Sequence, residues 1–136
     1  MITDLASLFI KSDSSIRQAI DCIERSTAKI ALVIDVDGHL LDTITDGDVR
    51  RAILSGIDLD DEVSELHGRK GTNSRYIKAV TAPIDTDKAD LLVLMKKKDV
   101  RHVPLVDNDR VVVDLVTLRD LIADDELPLQ AVVMAG

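Results

Sequence analysis

The stretch Asp35-Val36-Asp37-Gly38-His39-Leu40-Leu41-Asp42-Thr43-Ile44-Thr45-Asp46-Gly47-Asp48-Val49 returns 72 residues later as Asp107-Asn108-Asp109-Arg110-Val111-Val112-Val113-Asp114-Leu115-Val116-Thr117-Leu118-Arg119-Asp120-Leu121. Asp35, Asp37, Asp42, Thr45 and Asp48 fall on Asp107, Asp109, Asp114, Thr117 and Asp120 without a gap. The apolar rhythm agrees too: Ile34 with Val106, Leu40 and Leu41 with Val112 and Val113, Val49 with Leu121. Upstream, Asp13 falls on Asp85, Ile20 on Leu92 and Ile23 on Met95. A chain rich in aspartate aligns a few of them by chance, but not its apolar positions as well. The chain is an internal duplication.

Working outward, each copy has the same grammar. Ser14-Ser15 and Thr86-Asp87 are helix-start residues, whose side-chain oxygens accept from unpaired backbone N–H groups. Apolar residues follow at helical spacing: Ile16, Ala19, Ile20, Ile23 in one copy and Ala89, Leu92, Met95 in the other. A strand comes next, Ile30 to Ile34 and His102 to Val106, then a turn at Asp35 to Gly38 and Asp107 to Arg110. A second strand spans His39 to Thr45 and Val111 to Val116, and a second helix runs from Asp46 to Leu54 and from Leu118 to Ala123. With a short extra strand before it, the unit is β-α-β-β-α. Such a sheet is too small to stand alone, and its open face needs a partner. The expected fold is α+β, two repeats packed sheet on sheet about a pseudo-two-fold axis. Clefts should form where strand ends and helix starts of the copies meet. The division is 1–57 for the first repeat, 58–80 for a polar connector, 81–127 for the second repeat and 128–136 for a separate strand.

Composition narrows the function. Of 136 residues, 46% are apolar, enough for a real core. The only aromatics are Phe9 and Tyr76, so stacking platforms for single-stranded nucleic acid are nearly absent. A net charge of −8 argues against duplex DNA or RNA as a partner. The lone Cys22 sits in an apolar helical pattern and reads as a small core residue. No apolar run reaches the roughly 20 residues of a membrane span, and Met1-Ile2-Thr3-Asp4 lacks the basic start of a signal peptide. A cytoplasmic protein without membrane association is expected. His39, His67 and His102 are scattered with no matching cysteine or carboxylate set, so neither a free-standing enzyme nor a metal site is expected. Asp46-Gly47-Asp48 lacks the rest of a cation-binding loop. Gly68 to Arg75 reads as a solvated loop, and Lys96-Lys97-Lys98 as a solvated helix end.

The doubled motif resembles the CBS-domain pair, also called a Bateman module, whose repeats end a strand and open a helix with a pattern like Gly-x-Val-Thr-x-x-Asp-Leu. Asp42 and Asp114 stand where that glycine is usual, and His102-Val103-Pro104-Leu105-Val106 is similar to the family's second-strand start. The resemblance covers about residues 5 to 126. It implies a non-catalytic regulatory module binding an adenosine nucleotide (AMP, ADP or ATP) in the inter-repeat clefts, and a homodimer. It also implies the site residues. Asp48 and Asp120 are ribose candidates, with Thr45 and Thr117 behind them, and Ala82 and Ile84 before the second repeat's first helix join the set. A carboxylate suits a diol, which offers two donors. Thr-x-x-Asp is equally close to a helix capping box, which needs no ligand.

Lys29, Arg101 and His102 are the phosphate candidates. Under the pseudo-two-fold, Arg101 and His102 are expected to cross to the Asp48 cleft and Lys29 to the Asp120 cleft, making the Asp48 site the stronger. Alternatively Lys29 and Arg101 only follow a helix C-terminus, where cations suit the dipole.

The tail Leu129-Gln130-Ala131-Val132-Val133-Met134-Ala135-Gly136 resembles the opening strand of sugar-phosphate nucleotidyltransferases. That implies a fused catalytic domain downstream, acting on mannose-1-phosphate-like substrates, with 128–136 its truncated first strand. The Thr45 to Arg51 stretch is similar to CBS pairs of phosphosugar isomerases as well. A ligand-free dimerisation module is the alternative of a different class.

Overall fold

The computed structural model describes residues 5–66 and 80–125. The Gly68 to Arg75 loop and the 128–136 strand lie outside the described residues. After a 3-10 turn, Leu5–Leu8, the first repeat runs β1 (Phe9–Ile10), α1 (Ile16–Arg25), β2 (Ile30–Ile34), β3 (Leu40–Thr45) and α2 (Asp46–Leu54). The second runs β4 (Ala82–Pro83), α3 (Lys88–Lys98), β5 (His102–Val106), β6 (Val112–Thr117) and α4 (Leu118–Asp125). Each repeat is the expected β-α-β-β-α unit.

The 72-residue offset survives in detail. Each sheet has three strands, ordered β1-β2-β3 and β4-β5-β6, the first pair parallel and the second antiparallel. Val33 pairs Asp42 as Leu105 pairs Asp114, and the register slips at the next residue in both ladders. The hairpin turns share one device. Asp35 Oδ1 accepts the N–H groups of Asp37 and His39, and Asp107 Oδ1 those of Asp109 and Val111. Backbone bonds close the same turns, the Asp35 N–H donating to the His39 carbonyl and the Asp107 N–H to the Val111 carbonyl.

One apolar cluster packs α1 and α2 on the first sheet, around Ile16, Ala31, Ile44 and Ala52; another packs α3 and α4 on the second, around Met95, Val103 and Leu121. A third joins the repeats, with Leu8, Ile30, Leu32 and Leu40 against Val106, Val112 and Leu115. The faces turned away from the helices thus bury one another, as a small open sheet requires. Cys22 is buried and its Sγ donates to the Ser7 carbonyl; burial pushes the thiol pKa up.

The connector starts later than its composition suggests. Val63 and Leu66 are 2% and 0% exposed and belong to the first repeat's core with Ile57. The backbone returns beside α1: the Ile16 N–H donates to the Asp61 carbonyl and the Val63 N–H to the Ser14 carbonyl. The change at 57/58 is one of polarity, not of packing, because the inward-facing Ile57, Val63 and Leu66 are separated by exposed polar residues.

Candidate functional site

Both helix starts of interest are capping boxes. Asp48 Oδ2 accepts the Thr45 N–H at 3.0 Å, and Thr45 Oγ1 accepts the Asp48 N–H at 3.3 Å. Asp120 Oδ2 accepts the Thr117 N–H at 3.1 Å, and Thr117 Oγ1 accepts the Asp120 N–H at 3.1 Å. Capping therefore occupies all four residues, and a ligand role has to coexist with it.

The two aspartates differ beyond the cap. Asp48 Oδ1 accepts from Arg51 Nη2 at 2.8 Å, and the Asp48 side chain is only 12% exposed. Arg51 escapes a motif reading, although its spacing from Asp48 permits an ion pair on one helix face. Asp120 lines a cavity of about 710 Å³. Burial pushes the Asp120 carboxyl up, but this is outweighed by lowering contributions led by the Thr117 N–H, so its pKa lies below the ordinary value. It is an anion at neutral pH.

The cavity gathers Lys29, Arg101, His102, Thr117 and Asp120 on its walls. Arg119 adds a third cation, and Ala28, Leu118 and Ile122 add apolar surface. These last four escape the sequence reading, since their only signal is their position beside the motif. A concave site of this size, mostly apolar with a few convergent charges, suits a nucleotide-sized ligand.

Lys29 lines the same cavity as Asp120. Arg101 and His102 do not cross to Asp48: the cavity they line is that of Asp120. The reason is local. His102 pairs with Thr117 across the β5–β6 ladder, and the Arg101 carbonyl accepts the Leu118 N–H at 2.9 Å. Both residues are thus tied to their own repeat's helix start, and the Asp48 side loses its expected advantage. Lys29 sits at a left-handed φ of 57°, its N–H donating to Ser26 Oγ and its Nζ to the Glu24 carbonyl at 2.9 Å. The helix-end role is therefore met by Lys29, and the cavity lies along the same side chain.

His102 is a link rather than a cation. Its Nε2 lies 2.6 Å from the Ala28 carbonyl, which can only accept, so Nε2 carries the proton. Burial chiefly lowers its pKa; the Ala28 carbonyl opposes this and the Arg101 guanidinium adds to it. The imidazole is neutral at pH 7, so His102 joins the repeats instead of serving as a phosphate cation. Ala82 and Ile84 line a separate cavity of about 400 Å³ with Asp85, Val106 and Asp107, away from either motif aspartate.

Among the described residues, Asp35, Asp37 and His39 bring three potential metal-donor atoms within 4.8 Å of one another. Asp35 Oδ1 already accepts two N–H groups and Oδ2 meets His39 Nδ1 at 2.9 Å, so the trio is a self-satisfied turn. Among the described residues no helix is long and apolar enough to cross a membrane.

Two matching β-α-β-β-α units, a shared core and a doubled Thr-x-x-Asp helix start define a tandem-repeat module with an inter-repeat cleft. The CBS-domain family matches residues 1–55 and 74–125, and the chain belongs to that family as a tandem pair. A CBS domain protein from Pyrobaculum aerophilum complexed with AMP is 17% identical with a TM-score of 0.74, covering 90% of this chain and 88% of that one. A CBS domain pair in complex with 5-methylthioadenosine and S-adenosyl-L-methionine is 23% identical with a TM-score of 0.70, covering 85% and 88%. The cytosolic domain of the Mg2+ channel MgtE in complex with ATP is 20% identical with a TM-score of 0.66, covering 86% and 44%. These are likenesses of fold. An uncharacterised protein of Rickettsia prowazekii (strain Madrid E) is 28% identical over 114 residues, 84% of this chain. The match takes in 33% of that relative's length.

Proposed function

We propose that the chain is a non-catalytic sensor that binds one adenosine nucleotide, AMP, ADP or ATP, in the cleft of Asp120. The observation that carries this is the meeting of Asp120, Lys29 and Arg101 on the walls of one cavity. Asp120, kept ionised, accepts from the ribose diol. Lys29, Arg101 and Arg119 face the phosphates, and Ala28, Leu118 and Ile122 give the base an apolar bed. The fold-level likeness to CBS pairs solved with AMP, ATP and S-adenosyl-L-methionine supports the ligand class. A thermal-shift panel of AMP, ADP, ATP and S-adenosylmethionine tests it. An upward shift with a phosphate-bearing nucleotide is expected; no shift with any of them at millimolar concentration hands the case to a ligand-free dimerisation module, for which the self-contained capping boxes already speak.

We further place the module in a cytoplasmic sugar-phosphate nucleotidyltransferase, on the resemblance of residues 129–136 to that enzyme's opening strand. The same nucleotide should change the transfer rate of the parent enzyme. A phosphosugar isomerase is the alternative parent, and sequence downstream of Gly136 separates the two. A homodimer fits the apolar residues left on the helices, Leu54 at 81% and Val93 at 64% exposed. A monomer mass by light scattering at micromolar concentration contradicts it.

A further inference from the structure

We infer that His102 is a positioning residue of the cleft: from the second repeat it holds the Ser26 to Lys29 loop of the first, and so presents Lys29 to the phosphates of the ligand. This rests on reading the cavity shared by Lys29 and Arg101 as the nucleotide site. The peptide that joins Ala28 to Lys29 is gripped at both ends. Its carbonyl accepts from His102 Nε2 at 2.6 Å, across the joint between the repeats, and its N–H donates to Ser26 Oγ at 2.8 Å. A peptide unit is planar, so fixing both groups fixes the rotation on which the φ of Lys29 depends. That φ is 57°, a left-handed value that a residue with a Cβ adopts only at a cost. Such a conformation persists where the surroundings over-determine it, and it gathers at ligand sites. Here the loop lines the cavity through Thr27, Ala28 and Lys29. His102 is itself fixed, because it opens β5 and pairs with Thr117 in the ladder.

The device belongs to one copy. His102 falls on Ile30, whose buried side chain packs in the aliphatic cluster shared by the repeats and has no donor to offer. The counterpart of Lys29 is Arg101, and in that loop the left-handed residue is Asp99, at φ 56°, which ends α3 as its C-cap. Arg101 therefore comes to the cavity straight from its own strand, whereas Lys29 comes to it through a turn that the other repeat holds in place.

Calorimetry of the whole chain with ATP and with adenosine tests this. His102→Ile puts the first repeat's residue at that strand position and removes the donor. ATP should then bind about tenfold more weakly, and adenosine, which brings no phosphate to Lys29, within about threefold of the unmodified protein. His102→Gln offers an amide donor to the Ala28 carbonyl and should keep ATP within about threefold. Lys29→Ala should weaken ATP as His102→Ile does, and the double variant should lose no more than either, because both remove one contact. Melting curves establish that the variants are folded, and His102→Ala replaces His102→Ile if that one is not. Full ATP affinity in His102→Ile, equal losses for ATP and adenosine, a loss in His102→Gln as large as in His102→Ile, or additive losses in the double variant overturns the inference and leaves the nucleotide reading standing. If the unmodified protein binds neither ligand, the nucleotide reading falls, and amide exchange judges the hold on the loop. The Lys29 N–H should exchange about tenfold faster in His102→Ile than in the unmodified protein or His102→Gln, and equal rates in all three overturn the hold as well.

Discussion

His39 bridges to Val111, its own counterpart 72 residues on, where the two hairpins meet. The flanking bonds are images of one another: the Leu40 N–H donates to the Arg110 carbonyl at 3.3 Å, and the Val112 N–H to the Gly38 carbonyl at 3.2 Å. The same offset converts one bond into the other, so the pseudo-two-fold axis passes through this bridge. The repeats are joined here by backbone, at the cleft by the His102 contact with Ala28, and between these by the shared aliphatic cluster.

Gly38 and Arg110 hold matching left-handed conformations, at φ 87° and 67°. Gly38→Ala should cost about 1–2 kcal/mol for that conformation. The added Cβ also stands 3.3 Å from Val111 Cγ1 across the bridge. Arg110→Gly relieves the same strain while loosening the unfolded chain, so its net effect should stay within about 1 kcal/mol. Urea denaturation midpoints of the two variants measure the difference.

Leu66→Ala tests whether the chain beyond Ile57 belongs to the first repeat. The side chain is fully buried, so the substitution should cost about 2–5 kcal/mol. The exposed neighbour Glu65→Ala should stay within about 0.5 kcal/mol. A cost for Leu66→Ala no larger than that of Glu65→Ala in chemical denaturation would place it outside the core.

The neutral His102 makes stability depend on pH. Its folded pKa lies below the ordinary value of about 6.5, so the unfolded chain takes up the proton first. Its contribution should be complete above that pH, decline as pH falls from there toward the folded value, and then level off. Arg101, which opposes protonation, and Lys29 and Asp120 face the same cavity. His102→Gln should flatten this part of the profile. His39 and His67 stay in both proteins, so the difference between the two stability–pH curves reports His102 alone.

The duplication, the strand and helix pattern and the capping residues were legible because local chemistry sets them. Aspartate turns and Thr-x-x-Asp caps act within four residues, and an aliphatic rhythm states which faces are buried. Which cations join which aspartate was not legible, because it depends on ladder register. His102 lies opposite Thr117 only because β5 and β6 pair at that register. The pairing of Asp48 with Arg51 was within reach as an i,i+3 spacing, but the sequence does not say that Arg51 bends over Gly47 rather than into solvent. The inward residues Val63 and Leu66 were hidden by the acidic residues around them, Asp60, Asp61, Glu62 and Glu65.

Methyl NMR during a nucleotide titration tests the proposed cleft most directly. Ala28, Leu118 and Ile122 line it, whereas Ala82 and Ile84 line the separate cavity and serve as internal controls. Added ATP or AMP should shift the methyl signals of Ala28, Leu118 and Ile122 saturably and leave those of Ala82 and Ile84 in place, and Asp120→Asn should weaken the response by about tenfold or more. Saturable shifts confined to Ala82 and Ile84, or none at millimolar nucleotide, would contradict the account.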